Sequence, residues 1–97
     1  MSGSKYQIRA TSRYKKNLKL LAKRNLDFVR RIDEAVRLLE RGESLPERMK
    51  DHSLVGELAG HRECHVLPDL LLIYRIFESV LILELVAAGS HSDLFGK

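Results

Sequence analysis

The chain has 97 residues, with 17 Lys and Arg against 13 Asp and Glu and a formal net charge of +4. This length supports one hydrophobic core and excludes two, and a hydrophobic content of 44% argues against disorder. A single cysteine excludes an intramolecular disulfide framework, and no apolar run approaches the ~20 residues that span a bilayer. We therefore expect one cytoplasmic domain over residues 5–97, preceded by a disordered or tag-derived segment over residues 1–4.

The first predicted elements are a short strand and a basic helix. Apolar and polar residues alternate over residues 5–10, which indicates a half-buried strand. Thr11 or Ser12 can cap the helix that follows. Its apolar stripe consists of Tyr14, Leu18, Leu21 and Ala22. Lysines occupy most of the remaining surface: Lys15, Lys16, Lys19 and Lys23. Such a face is either solvated or attracts an anionic polymer, and we favour nucleic acid.

A second helix is predicted after the first, with Asp27 as its cap and Gly42 as its stop. Its apolar residues form a one-sided stripe: Phe28, Val29, Ile32, Ala35, Val36 and Leu39. Residues 43–60 contain Pro, Ser and Gly without any sustained period, so they predict a long loop. Loops of this length are uncommon unless they are functional.

Three strands are predicted in the second half of the chain, over residues 61–67, 70–77 and 80–86. The links between them are too short for crossovers, so both pairs should be antiparallel. The predicted fold is therefore α+β in the order β-α-α-β-β-β, with a two-helix hairpin packed on one face of a small, mainly antiparallel sheet.

Side chains capable of acid–base chemistry lie between and after these strands. They are His52, Glu63, His65, Asp69 and His91. Histidine titrates nearest neutrality and can therefore accept or donate a proton without extreme tuning. On a strand, Glu63 and His65 share a face at about 6.5–7 Å along the chain. Together with the basic helix, this pattern favours metal-free cleavage of RNA by its own 2′-hydroxyl, which needs a base, an acid and positive charge.

Plainer structural roles exist for several of these residues. His52 could be a loop residue, Asp69 follows Pro68 in a common turn pair, and Phe95 could fill the core near the chain end. Cys64 points away from His65 on a strand and is predicted to be a small core residue rather than a nucleophile.

A metal site is disfavoured by the same strand geometry. His61 and His65 would share a face on a helix, but on a strand they lie about 13 Å apart, too far to bind one ion. We therefore predict no metal and no cofactor. His61 is left as a surface residue or a peripheral RNA contact.

Four motifs occur in order along the chain. They are Lys50-Asp51-His52-x-Leu54, Gly60-x-Arg62-Glu63-x-His65-x-x-Pro68-Asp69, Leu72-Ile73-Tyr74 and Gly89-Ser90-His91-x-x-Leu94-Phe95. In combination they resemble the YafQ branch of the RelE/ParE toxin superfamily, over nearly the whole chain. The resemblance implies a bacterial toxin of a type II toxin–antitoxin pair that binds the ribosomal A site and cuts messenger RNA there without metal. It also implies a cognate antitoxin of the DinJ/RelB kind that wraps the toxin, with operator DNA bound only through that complex.

The resemblance also implies residue roles. The catalytic set is His52, His65, Asp69 and His91, assisted by Glu63 and Phe95. We favour His91 as the main proton donor, with Asp69 and His65 as base or orienting partners. Phe95 is predicted to stack on or brace a nucleotide. Further RNA contacts are predicted at Lys50, Arg62, Lys15, Lys16, Lys19 and Lys23.

One position departs from the family pattern. Many relatives carry an arginine four residues before the final histidine, where this chain has Ala87. That arginine would clamp the scissile phosphate, and losing such a contact costs about 10²–10³ in rate. Another cation could replace it, with Arg62, Arg75 and Lys50 as candidates. Alternatively, the chain is an attenuated variant, or it binds RNA, the ribosome or a ParE-like target without cutting. We hypothesise the attenuated variant, because every other motif is intact.

Overall fold

The computed structural model describes residues 3–96, in which five strands and three helices alternate. In chain order they are β1 (Gln7–Ala10), α1 (Ser12–Arg24), α2 (Leu26–Glu40), β2 (His52–Ser53), β3 (Arg62–Leu67), β4 (Leu70–Phe77), β5 (Ile82–Gly89) and α3 (His91–Phe95). Single 3₁₀ turns precede β2 and β3, at Glu47–Met49 and Gly56–Leu58. No helix of residues 3–96 has the length and apolar character that a membrane crossing requires.

The strands form one sheet in the order β1-β5-β4-β3-β2. Among the described residues, only β1 and β5 pair in parallel, and the connection between them contains α1, α2 and the three other strands. The other three pairings are antiparallel. The predicted α+β class with a small, mainly antiparallel sheet is confirmed.

The sheet has two different faces, here called the back and the front. The back is covered by α1 and α2, and its core includes Leu21, Ile32 and Leu72, which are almost fully buried. Burying each such side chain contributes roughly 1.5–3 kcal/mol. The front carries a smaller apolar cluster of Leu71, Ile73, Ala87 and Leu94, of which Leu94 comes from α3. Successive residues of β4 point alternately to the back and to the front, and both faces are covered there. The sequence of β4 is therefore almost continuously apolar.

A bulge in β5 changes which residues reach the front. Tyr74 is paired with Leu85, but Ile73 is paired with Ala87, so Val86 is an extra residue without a partner. The bulge turns Ala87 to the front, although Leu83 and Leu85 point to the back. The Thr11 hydroxyl donates a hydrogen bond to the Val86 carbonyl at 2.8 Å and holds the bulge against α1.

The two helices begin at side-chain caps. The Thr11 side chain accepts from the Tyr14 N–H, as predicted. The predicted cap at Asp27 is wrong, because α2 begins at Leu26 and the Asn25 side chain accepts from the Asp27 N–H at 2.9 Å. Asn25 also ends α1, and one residue thus separates the helices. Asp27 lies in the first turn, where a carboxylate interacts favourably with the helix dipole.

Several predicted elements differ from the structure. The loop at residues 43–60 contains β2, which the sequence conceals because two residues show no periodicity. The last strand covers Ile82–Gly89 instead of residues 80–86, because Leu81 takes a left-handed conformation (φ 55°) that extends the turn. The polar C-terminal segment, for which no helix was predicted, forms α3.

We predict that Asn25→Ala lowers the free energy of unfolding by about 1 kcal/mol, because it removes the only side-chain cap of α2. Urea denaturation followed by circular dichroism measures this loss. Asn25→Asp keeps the acceptor and is expected to unfold at nearly the parent's midpoint. An alanine variant as stable as the aspartate variant would contradict the role of this cap.

Candidate active site

Two sets of contacts hold His52 in place: one to its imidazole ring and one to the carboxylate of the preceding residue, Asp51. Lys50 takes a left-handed conformation (φ 50°), and its carbonyl lies 2.7 Å from His52 Nδ1. The neighbouring Asp51 points to the back, where the buried Tyr74 hydroxyl donates to its carboxylate at 2.5 Å. Arg62 donates to the same carboxylate at 3.2 Å. Since strand residues alternate, fixing Asp51 at the back presents His52 at the front.

Glu63 and His65 extend from β3 on the front, as their spacing predicts. Glu63 is 7% exposed and is the one buried charged residue among residues 3–96. Its Oε1 lies 3.4 Å from His52 Nε2 and 3.8 Å from His65 Nε2, so one carboxylate faces two imidazoles. The other ring nitrogen of His65, Nδ1, lies 3.4 Å from the Pro68 carbonyl.

His91 is the first residue of α3 and is held by Asp69. The Asp69 carboxylate accepts from the His91 backbone N–H at 2.9 Å and lies 2.5 Å from His91 Nδ1. The backbone and side-chain hydrogen bonds of His91 hold the pKa of Asp69 below its usual value. A capping box of Ser90 and Asp93 starts the helix. Gly89 is required beside it, because a Cβ there would lie 2.9 Å from the Asp93 Cβ.

The three imidazoles form a row with His65 in the middle. Ring centroids are 6.2 Å apart for His52 and His65, and 5.8 Å apart for His65 and His91. In each ring Nδ1 faces an oxygen acceptor, from which we infer that Nδ1 carries a proton. The ε nitrogens of His52 and His65 face the Glu63 carboxylate. Such a row can place an acid and a base on opposite sides of one phosphate.

Ala87 lies in the same cross-strand row as the acid–base residues. Paired positions run His52, Glu63, Ile73 and Ala87 across β2, β3, β4 and β5. Adjacent strands are about 4.8 Å apart, so an arginine at position 87 would extend over Ile73 towards Glu63. The Ala87 methyl group is instead completely buried in the front cluster. The row therefore contains no cation where the family pattern has one.

The three candidate replacement cations have different surroundings. Arg62 points to the back, where Asp51 and Ser53 bind its guanidinium. The Arg75 guanidinium lies 4.7 Å from the centroid of the Phe77 ring, farther along β4 from the histidines. Lys50 borders a cleft that His65 also lines. Of the three, Lys50 is therefore the one that shares a cleft with a histidine of the row.

The remaining predicted RNA contacts lie outside the histidine row. Phe95 is 44% exposed and follows His91 by four residues, so the two side chains share a face of α3. The lysines of the basic face, Lys15, Lys16, Lys19 and Lys23, are exposed on α1, in the layer behind the sheet. The structure does not bring them together with the histidines.

Cys64 and His61 are placed outside the acid–base set. Cys64 is fully buried at the back, and burial raises the pKa of its thiol to about 12, so it stays protonated. His61 Nδ1 lies 3.2 Å from the Leu58 carbonyl in the turn before β3. Among residues 3–96, no group of three or more His, Cys, Asp or Glu side chains is arranged to hold a metal ion.

Sequence reasoning missed the residues that position the histidines. The motifs contain Asp51 and Tyr74, but the sequence assigns neither residue a structural role. The alternation of side chains around His52 is the signal that could have placed Asp51 at the back of the sheet. Ser90 and Asp93 match the Ser-x-x-Asp capping pattern, which predicts a helix start. Arg24 reaches Asp93 from α1 at 2.7 Å, a contact between distant segments that has no local signal.

We predict that Tyr74→Phe loosens residues 50–53, because the phenylalanine cannot donate to Asp51. Amide hydrogen exchange of this segment should accelerate about tenfold, the equivalent of about 1.4 kcal/mol. Tyr6→Phe is the matched control, since the Tyr6 hydroxyl donates to Glu78 instead, at 2.7 Å. Equal exchange at residues 50–53 in both variants would show that the Tyr74 hydroxyl does not hold the segment.

We predict that the Asp69 carboxyl titrates below its usual pKa and that His91→Ala raises this pKa only part of the way back. The backbone N–H of residue 91 remains in the variant, and it is the larger cause of the shift. Because the pKa is lowered, the contact is complete above the ordinary pKa and is lost as pH falls through the lowered value. Carboxyl NMR titration measures both values. Asp27, whose pKa is lowered by Arg31 and Arg30, is the internal control and should not change.

Comparisons with known proteins agree with this geometry. The family model described as "Bacterial toxin of type II toxin-antitoxin system, YafQ" matches residues 6–96. The mRNA interferase toxin YafQ of Escherichia coli K12 is 36% identical over 89 residues, 92% of this chain and 95% of that protein.

Two solved structures are similar over their full length. A metal-bound toxin from Helicobacter pylori has a TM-score of 0.85 at 40% identity, covering 93% of this chain and 99% of that one. The toxin chain of the E. coli DinJ–YafQ complex has a TM-score of 0.83 at 33% identity, covering 94% and 99%. With a family model matched from the first strand to the last helix, the chain belongs to the YafQ family of bacterial toxins of type II toxin–antitoxin systems.

Proposed function

We propose that this chain is a ribosome-dependent endoribonuclease that cleaves messenger RNA in the A site by metal-independent acid–base catalysis. The observation that supports this most directly is the row of three imidazoles on the front of the sheet, flanked by the carboxylates of Glu63 and Asp69. Proteins named mRNA interferase toxins are among its relatives. The proposed location is the bacterial cytoplasm, where translating ribosomes are found.

In the proposed reaction, the 2′-oxygen of the substrate attacks the neighbouring phosphorus. Its proton passes to the Glu63 carboxylate, or to an imidazole beside it. The bond from phosphorus to the 5′-oxygen breaks, and His91 Nε2 donates a proton to that leaving oxygen. The products are a 2′,3′-cyclic phosphate and a 5′-hydroxyl. Asp69 positions His91 and stabilises its protonated form through the contact at Nδ1.

Charge stabilisation is the weakest part of the proposed site. The pentacoordinate phosphorus intermediate gathers negative charge that a cation or a set of donors must stabilise. Ala87 contributes neither, and Lys50 is the cation that shares a cleft with His65. We therefore propose that this chain cleaves more slowly than a form with arginine at position 87.

The proposed partners are the ribosome with its messenger RNA and a cognate antitoxin of the DinJ/RelB kind. An E. coli relative is known as a DinJ–YafQ complex, which supports a protein partner of this kind. The lysine face of α1 supplies a positive surface that attracts ribosomal RNA or an acidic segment of the antitoxin. Contact with operator DNA is proposed only through the toxin–antitoxin complex.

The second candidate function is a binding module that reaches the ribosome without cutting. The buried methyl group of Ala87 favours this alternative, because it leaves the cross-strand row without a phosphate clamp. The endoribonuclease and the binding module both bind RNA, and they differ only in whether the bound RNA is cleaved.

The deciding experiment measures messenger RNA cleavage on programmed ribosomes by three proteins: this chain, Ala87→Arg, and Ala87→Arg combined with His91→Ala. We expect Ala87→Arg to cleave about 10²–10³-fold faster than this chain, because it restores a clamp on the phosphate. Loss of His91 should then reduce the rate by about 10²–10⁴, because the leaving oxygen loses its acid. Circular dichroism checks that each variant is folded.

A substrate control separates attack by the 2′-hydroxyl from hydrolysis by a metal-activated water. Messenger RNA with a single 2′-deoxynucleotide on the 5′ side of the cut should resist cleavage, and intact RNA should give a 2′,3′-cyclic phosphate end. Cleavage of the deoxy substrate would contradict the proposed mechanism. Absence of cleavage by all three proteins, despite ribosome binding, would leave the binding module.

A further inference from the structure

We propose that a cleft beside His65 binds one nucleotide of single-stranded RNA next to the scissile phosphate. The cleft has a volume of about 480 Å³ and is lined by Arg48, Lys50, His65, Val66, Leu67 and Pro68. This proposal rests on the proposed RNA cleavage and extends it to a substrate pocket. The volume falls within the roughly 300–1,000 Å³ of small-ligand sites.

The cleft exists because β2 is short. β2 pairs only with Glu63 and Arg62, so the outer edge of β3 has no strand beside it from Cys64 onward. The Leu54 N–H donates to the His61 carbonyl at 2.9 Å, which shows that the backbone groups of His61 point outward. Because these groups alternate along a strand, those of His65 point outward too, into the cleft. N–H and C=O groups that point outward from this edge can recognise the hydrogen-bonding edge of a base.

Two cations border the cleft without a counter-charge. Among residues 3–96, neither the Arg48 nor the Lys50 side chain has a hydrogen-bond or ion-pair partner, whereas the Arg62 guanidinium is bound by Asp51. Arg48 lies in the 3₁₀ turn that ends at the left-handed Lys50. A left-handed conformation is uncommon for lysine, and here it places both cations beside the strand edge. Unpaired cations in a cleft are suited to a phosphate.

A second cavity on the other side of Lys50 provides a comparison within the same molecule. It also measures about 480 Å³, but its lining carries three carboxylates, Glu43, Glu47 and Asp51, against two cations, Lys50 and Arg62. The charged side chains of this second cavity therefore sum to a net negative charge, which disfavours a phosphate, whereas the cleft beside His65 has no acidic side chain in its lining. The apolar side chains of Leu67 and Pro68 offer a surface for the face of a base. Charge and shape therefore favour a nucleotide in the cleft beside His65, with its phosphate at Arg48 and Lys50.

The first test is an NMR titration of the folded chain with adenosine 5′-monophosphate, and in parallel with inorganic phosphate. We expect the nucleotide to shift the amide signals of Lys50, His65, Val66 and Leu67. Phosphate alone should shift Lys50 but leave Val66 and Leu67 in place, because it has no base to contact them. Equal shifts from both probes would overturn the assignment of a base pocket.

The second test measures binding of a short single-stranded RNA in which every 2′-hydroxyl is methylated, so that it cannot be cleaved. Arg48→Ala and Lys50→Ala should each weaken binding about tenfold and lower the salt dependence by about 0.7 in the log–log slope. Arg48→Lys should retain most of the affinity, which separates loss of charge from misfolding. Arg30→Ala on α2 removes the same charge at a site where Asp27 and Glu34 surround it, and is expected to have little effect.

The outcomes separate this pocket from the proposed function. His91-dependent cleavage together with Arg48→Ala and Lys50→Ala variants that bind RNA like Arg30→Ala would overturn the pocket and keep the nuclease. If the parent chain binds neither the methylated RNA nor the mononucleotide, the pocket is overturned whether or not programmed ribosomes are cut. Selective loss of binding in Arg48→Ala and Lys50→Ala supports the pocket.

Discussion

The alternation of side chains between the two faces of the sheet, interrupted by the bulge in β5, is the constraint on which the rest of this structure depends. It sends Cys64, Leu72 and Tyr74 to the back, where the helices cover them, and sends Glu63 and His65 to the front. The hydrophobic core and the polar site are therefore built from neighbouring residues of the same strands. A shift of one residue in the register would bury the histidine and expose the core.

The site depends on segments that the core holds in place from behind. The Asp51 carboxylate accepts hydrogen bonds from the buried Tyr74 and from Arg62, and these bonds keep His52 on the front. At the other end of the row, α3 carries His91 and is tied to α1 through Arg24 and Asp93. The histidines at the two ends of the imidazole row thus lie on short segments that are anchored to the rest of the fold. Such anchoring keeps these side chains within a narrow range of positions.

The surface has regions that differ in how strongly they attract anions, because some cations are paired with carboxylates and others are not. Most guanidinium groups on α2 are matched by carboxylates one turn away, so this helix contributes little attraction. The lysines of α1 and the pair of Arg48 and Lys50 are not matched in this way among the described residues. A buried alanine at position 87 leaves the β5 end of the cross-strand row without positive charge.

Much of the fold was accessible from local patterns. The helical stripes, the apolar run of β4 and the period-two placement of Glu63 and His65 are short-range signals, and the structure confirms them. The exact cap of α2 was missed, because Asn25 and Asp27 are both good caps and only the packing of the two helices selects between them. The sequence does not predict β2, because a two-residue strand is recognised only by its hydrogen-bonded pairing with a neighbouring strand, here β3.

By itself, the sequence determined the two-layer α+β arrangement and the residue types of the acid–base set, since both follow from periodicity and from the chemistry of histidine and carboxylate. Only the tertiary structure decided how these groups meet: the row of His52, His65 and His91, the bulge that turns Ala87 to the front, and the cleft beyond β2. The physical reason is that register, bulges and edge exposure arise from contacts between segments distant in the chain. No local window of residues contains that information.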